Sequence, residues 1–350
     1  MESRAGVYQV RQRSTAKLDW GRMPAWLTPI NVLKLVGLSL LLVFAFVGVD
    51  YGETFRTIGD ASWSLVLASF LLLNLALLLR AYRWRVLAIA SGLIYRSSYD
   101  YYAVFYASWL ANFILPQGVS SAARLAMISE GGGRSLGRGL AAVIIERLAD
   151  VAAAGILGLV FMAWVIRNGQ GTVFAVVVGL ICGGVLLLLA GAVVARRLGS
   201  RIGLRATIER YALGRRVMAI LDETFIAFSE MERRPLILMT GLSVLTAFIL
   251  ATALYVAALA LDIHVPFALM VAAWAVVNLS VMLPISIQGL GPREGILIVA
   301  LVGSGEAQEA GVALGLLWFV LLSASRLPGI VAWFHRPVAP AVGTPPQVAA

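Results

Sequence analysis

The hydrophobic positions of this chain fall in long, nearly unbroken runs rather than in alternation. Apolar windows cover roughly 35–50, 62–79, 98–116, 139–166, 172–195, 236–261, 266–286, 294–303 and 309–334. Several reach the ~20 residues that a helix needs to cross about 30 Å of hydrocarbon. Turn-punctuated alternation, the mark of barrel strands, is scarcely present, so the pattern predicts membrane-crossing helices.

Composition agrees. With 60% hydrophobic residues, 13% charged and a mean hydropathy of +0.89, the 350 residues are too apolar for a soluble domain to hide from water. The net charge of +10, from 28 Lys+Arg against 18 Asp+Glu, would suggest nucleic acid in a soluble protein. Here positive residues between apolar windows orient helices and meet anionic headgroups, and no nucleic-acid partner is expected. The single cysteine, Cys182, lies inside an apolar run and excludes an intrachain disulfide. About thirty mixed residues precede the first run without a signal-peptidase site, so that run is expected to remain as an anchor.

Charges between the windows predict topology. Residues 1–34 carry net +4 and residues 50–62 net −2, placing the start inside and the first loop outside. Residues 80–100 carry net +3 and return the chain to the cytoplasm; residues 116–139 carry net +2, so two consecutive loops read as cytoplasmic. The conflict disappears if 98–116 enters the membrane, breaks at Pro116 and Gly118, and returns through about residue 130 as a re-entrant hairpin. Broken backbone at membrane depth requires protein or a watery cavity around it. The linker 196–234 is net +4 and inside, whereas 303–310, with Glu306 and Glu309, reads as outside. Between Asp262 and that loop lie 266–286 and 294–303, joined by Pro284, Gly289, Gly291 and Pro292, a second hairpin from the opposite face.

The predicted fold is an all-α integral membrane protein with about six full transmembrane helices plus two re-entrant helical hairpins in two inverted-topology repeats. The expected organisation is a cytoplasmic segment 1–34, repeat 1 over 35–166, repeat 2 over 167–334, and a disordered tail 335–350. Repeat 2 includes the basic linker 196–234, where Leu204, Ile208, Tyr211, Met218, Leu221, Phe225 and Phe228 recur at near-helical spacing. A helix lying on the inner membrane surface fits this, as does a partner-binding linker. Trp109, Asn112, Pro116 and Arg124 in one half resemble Trp274, Asn278, Pro284 and Arg293 in the other.

Charges inside the windows are the candidate chemistry. Glu146, Arg147 and Asp150 sit in an apolar run, at a cost of about 2.5–3.5 kcal/mol each at a helix centre. Glu146 and Asp150 share a helix face, and an in-helix pair of Arg147 with Asp150 is possible by spacing. Arg293 and Glu294 open a short helix whose N-terminus suits an anion, and a guanidinium there would hold a phosphate bidentately. Arg124 could act from the other side, with Arg326 joining them or pairing with an acid. The simpler alternative is that these arginines only cap helices and neutralise carboxylates. The run RAYRWR, Arg80 to Arg85, reads first as a headgroup anchor, with a role in substrate entry as the alternative. His264 and His335 are far apart, no phosphate- or dinucleotide-binding fingerprint occurs, and neither cofactor nor metal is expected.

The motifs RAYRWRVL, NFILPQGVSSAARLAMI, AAVIIERLADVAAAG, GLGPREGILIVALVG and SRLPGI, over about residues 30–335, resemble those of the flippase-like membrane domain of lysylphosphatidylglycerol synthases. That family includes stand-alone members without the soluble synthase half. The resemblance implies movement of a lipid or lipid-linked headgroup between leaflets, around a central cavity between inverted repeats. The family pattern has a Gly-Asp pair before the first of these arginines; here Ser121 and Ala122 precede Ala123 and Arg124, which argues against carrying over an aminoacyl-lipid or cation-coupled role. Ser120 and Ser121 could still supply hydroxyls.

The expected function is therefore a lipid flippase or transporter for an anionic headgroup. Its substrate-binding candidates are Arg124, Arg147, Arg293, Glu294, Arg326, Glu146, Asp150, Asn112, Asn278 and Gln288. The alternatives are a membrane-embedded transferase, for which no catalytic constellation is found, and an accessory scaffold for a separate synthase or glycosyltransferase. The expected location is the inner (cytoplasmic) membrane with both termini cytoplasmic; the oligomeric state is left open.

Overall fold

A computed structural model of the chain describes residues 50–95, 97–111, 124–128, 133–167, 179, 182–184, 187, 233–282, 291–335 and 341–342. The windows 35–50 and most of 172–195, and the linker 196–232, lie outside the described residues. Among the described residues, four helical stretches are long and apolar enough to cross a membrane: Trp63–Ala90, Arg138–Arg167, Ile237–Ala260 and Gln308–Phe334. They coincide with the windows 62–79, 139–166, 236–261 and 309–334. The chain is a multi-pass, predominantly helical membrane protein.

Helix α1, Tyr51–Gly59, lies in the first polar loop. Asp50 caps it, its Oδ1 accepting from the backbone N–H of Gly52 at 2.8 Å and of Glu53 at 3.2 Å, which satisfies donors a helix start leaves open. Helix α2, Trp63–Ala90, has 28 residues and is about 42 Å long at 1.5 Å per residue, so it extends beyond its apolar window and carries Arg80, Arg83 and Arg85 as helical positions. It turns at Gly92, φ +76°, into β1, Leu93–Ile94. Helix α3 is described over Ser98–Ala111, 14 residues and about 21 Å.

Helix α4 is Gly133–Arg167, α5 Arg233–Ala260, α6 Phe267–Met282 and α7 Pro292–Val302. The last window divides into α8, Gln308–Ala324, and α9, Pro328–His335, because Pro328 cannot continue a helix and only begins one. The tail expected to be disordered departs from that at Ala341–Val342, which forms β2 and pairs antiparallel with β1.

Helices α2 and α5 pack most extensively and run antiparallel. The Ser62 N–H donates to Ala260 O at 2.8 Å, the Ser69 hydroxyl to Ala253 O at 2.8 Å, and Arg83 to the Ser243 hydroxyl at 2.8 Å. The backbone N–H of Asp50 donates to Glu309 at 3.4 Å, and α1 packs on α8. At the other end of α2, Arg138 donates to Ser91 O at 3.1 Å. The start of α4 therefore lies beside the end of α2, although α3 intervenes in sequence.

Around α2 and α5, α4 packs on α6 and α9 on α3. Both contacts need a missing side chain: a Cβ on Gly158 of α4 would lie 3.0 Å from Ala275 of α6, and one on Gly329 of α9 would lie 2.4 Å from Tyr106 O of α3. The core is aliphatic, with Leu73, Leu77, Leu254 and Leu269 buried. Leu67, Leu71, Leu75 and Leu78 of α2 face outward. Apolar residues on both the buried and the outer sides of a helix suit hydrocarbon surroundings.

Candidate functional site: a buried cationic cavity

Two residue spacings build the first half of the site. Arg80 and Arg83 are three apart on α2, and Glu146 and Asp150 four apart on α4, so each pair shares a helix face. The faces meet. Arg83 donates to Asp150 Oδ1 at 2.6 Å, to Glu146 Oε1 at 3.2 Å and to the Ser243 hydroxyl at 2.8 Å. Arg80 reaches Asp150 Oδ2 at 3.3 Å. Arg124, on the helical stretch 124–128, pairs with Glu146 Oε2 and donates from Nε to the Ser108 hydroxyl of α3 at 3.1 Å. Its guanidinium carbon lies 4.4 Å from the Trp84 ring centroid, within cation–π range. Burial without these partners would cost several kcal/mol per ion. The acids of α4 are thus neutralised by arginines from other elements, with Arg147 half-buried beside them on α4.

The second half is the start of α7. Gly291 holds φ +89° and ψ −69°, a conformation that excludes side chains far more than it excludes glycine. Pro292 follows at the first helical position. The Glu294 carboxylate then turns back on the helix start, its Oε2 accepting from the Gly291 N–H at 2.7 Å, while Oε1 accepts from Arg293 Nε at 2.9 Å and from the same guanidinium's Nη2. Glu294 thus holds the Gly291 N–H at the helix start where the sequence suggested an external anion. Arg293 keeps one buried nitrogen, Nη1, without a hydrogen-bond partner among the described residues. Gly315 of α8 makes room, since a Cβ there would lie 2.9 Å from Glu294 Cγ.

Between these halves lies a cavity of about 60 Å³. Arg80, Arg293, Arg326 and Asn278 line it together with Trp109, Trp274 and Trp318; the other described lining residues are aliphatic, and no carboxylate is among the described lining residues. The walls come from α2, α3, α5, α6, α7, α8 and the turn that carries Arg326. The Arg326 guanidinium carbon stands 5.3 Å from the Trp109 ring centroid.

Of the residues singled out from sequence, Arg293, Arg326 and Asn278 face this cavity, and Glu294 orients Arg293. Arg124, Glu146 and Asp150 belong to the adjoining ion-pair network, and neither they nor Arg147 line the cavity. Asn112 and Gln288, with Ser120 and Ser121, lie outside the described residues. Arg80 and Arg83, read from sequence as headgroup anchors, are the main departure: Arg83 is fully buried and Arg80 joins the network to the cavity. Their three-residue spacing at the end of a long apolar run was the available signal.

Fold and site together define a multi-pass α-helical membrane protein with an arginine-lined cavity between its helices. The family described as "Lysylphosphatidylglycerol synthase TM region" has a model that matches residues 31–323, and the chain belongs to that family, which implies a membrane-lipid-related function. Against individual curated proteins the chain has no match.

Proposed function

We propose that the protein moves a lipid with an anionic headgroup between leaflets, using the cavity as the headgroup's passage. The observation that carries this reading is the lining itself, with three arginines, an asparagine and no carboxylate among the described residues. A guanidinium replaces the water of an oxyanion with charge-assisted hydrogen bonds, and the same wall would reject a cationic headgroup. The cavity's size admits a headgroup's phosphate but no whole lipid, so acyl chains remain in hydrocarbon.

The passage is formed by two inverted halves, each containing a re-entrant hairpin. Several repeated features support that architecture. Helices α2 and α5 each have 28 residues and start at 63 and 233, and α3 and α6 start at 98 and 267. The next described helical segments carry Arg124 in one half and Arg293 in the other. Each segment then packs an isoleucine on a glycine of the following helix, Ile128 on Gly139 and Ile298 on Gly311. The reciprocal pairing of α4 with α6 and of α9 with α3 fits the same relation. Rocking of one half against the other about α2 and α5 would open the cavity to each face in turn. Both termini are assigned to the cytoplasmic side of the inner membrane by the charge distribution.

An embedded transferase needs a carboxylate free to act as base, whereas Glu146, Asp150 and Glu294 are each held by arginine. The test is leaflet exchange of an anionic fluorescent lipid in proteoliposomes. Loss of one charge-assisted contact corresponds to a loss of about tenfold or more, so Arg293→Ala should slow exchange at least that much while the protein remains monodisperse. Exchange at the unaltered rate would reject the reading.

A further inference from the structure

The cavity's unused hydrogen-bonding groups are all donors. Four lining residues on four different helices carry a buried nitrogen without a hydrogen-bond partner among the described residues: Arg80 Nε on α2, Trp109 Nε1 on α3, Asn278 Nδ2 on α6 and Arg293 Nη1 on α7. Asn278 Oδ1, the one side-chain oxygen among the described lining residues, is not in that condition. Buried polar groups in folded proteins find partners, and each group left unsatisfied costs about 1–3 kcal/mol. The missing partner is therefore an acceptor with oxygens directed towards several helices at once. A negatively charged acceptor suits the three lining guanidinium groups, of which Arg80 is held by Asp150 and Arg293 by Glu294 from outside the lining.

From this we infer that the headgroup recognised is a terminal phosphate, a phosphomonoester, rather than the phosphodiester of a headgroup-substituted phospholipid. This inference rests on the headgroup-passage reading and narrows it. A phosphomonoester presents three terminal oxygens and one substituent, whereas a diester presents two and must lead a second substituent out of a cavity of only about 60 Å³. Aliphatic lining residues, among them Leu73, Leu77, Leu250 and Leu322, suit the single apolar substituent of a lipid phosphate. A zwitterionic head would bring an ammonium group against arginines. Of the two sources of a phosphomonoester, a lipid and a soluble ester, the apolar wall favours the lipid.

The experiment measures the shift in unfolding midpoint of the full chain in detergent. Its probes are dioctanoyl phosphatidic acid, dioctanoyl phosphatidylmethanol, dioctanoyl phosphatidylcholine and glycerol 3-phosphate. Phosphatidylmethanol adds a single methyl ester and thereby removes one terminal oxygen and one charge. The expected result is half-saturation by phosphatidic acid at a concentration at least tenfold below that for phosphatidylmethanol, with no saturable shift from phosphatidylcholine. Asn278→Leu and Trp109→Phe, which each remove a donor while nearly keeping volume, should narrow that preference without lowering the ligand-free midpoint by more than a few degrees. Equal binding of phosphatidic acid and phosphatidylmethanol, or a preference unchanged in both variants, would overturn the inference. Glycerol 3-phosphate binding as tightly as phosphatidic acid would overturn the lipid source. If phosphatidylglycerol exchanges between leaflets and Arg293→Ala stops it while the two probes bind equally, only the phosphomonoester inference fails and the passage reading stands.

Discussion

Arg83 shows how single charges are tolerated inside this protein. It bonds both carboxylates of α4 and a hydroxyl of α5 from a fully buried position. Arg83→Ala would leave those acids with fewer partners in a site closed to water, at a cost of about 3–5 kcal/mol. Thermal unfolding in detergent should register that loss. Asp150→Ala should also destabilise, yet the double variant should lose less than the sum of the two, because contacting residues share one interaction energy. Additive losses would show that the pair is not coupled. Glu146, Asp150 and Arg326 were legible in the sequence because charge within an apolar run is costly and must have a partner or a function, and Arg124 and Arg293 because they adjoin the predicted breaks at Pro116 and Pro292. Arg80 and Arg83 were not, since arginines at the end of such a run commonly reach headgroups. What keeps these two inside is the continuation of α2 through Ala90 and the acids opposite, and neither can be read from the RAYRWR stretch alone.

Among the elements, hydrophobic runs located four spanning helices well and their breaks less well. The division at Pro328 and the cap at Asp50 involve residues whose sequence signals are strong, but an apolar window that continues across a proline hides the break. The pairing of α7 with α8 was not legible. It depends on Gly311 and Gly315, which let the backbone of Ile298 and the side chain of Glu294 approach, as small residues four apart commonly do between membrane helices. Gly315→Leu should displace Glu294 from the α7 start and turn Arg293 with it. The expected readout is lipid exchange reduced at least as far as by Arg293→Ala, with a lowered unfolding midpoint. Wild-type exchange in Gly315→Leu would mean that Glu294 does not position Arg293. Gly241 of α5 is open around its Cα, where an added Cβ would meet no atom within 4 Å, so Gly241→Leu is the matched control and should leave exchange unchanged.

In the molecule as a whole, the antiparallel α2–α5 pair sets the frame, with the remaining described helices grouped around it and the arginine cavity between them. Charge counting predicts an order of faces, and two contacts agree with it: Asp50 lies beside Glu309, and Arg138 beside Ser91. The cavity itself was legible only as a requirement, that two broken helices at membrane depth need polar surroundings; which arginines line it depends on how α2, α7 and the Arg326 turn pack. Lipid passage requires that this one chamber be reached from both sides of the membrane. Labelling of Val277→Cys, a buried cavity-lining position, by a membrane-impermeant thiol reagent in a Cys182→Ala background reads that access. Sealed vesicles of defined orientation would be labelled from each face separately. The expected outcome is labelling from either face, slowed by an anionic lipid and not by a zwitterionic one. Labelling from one face only, or none from either, would refute alternating access to the cavity.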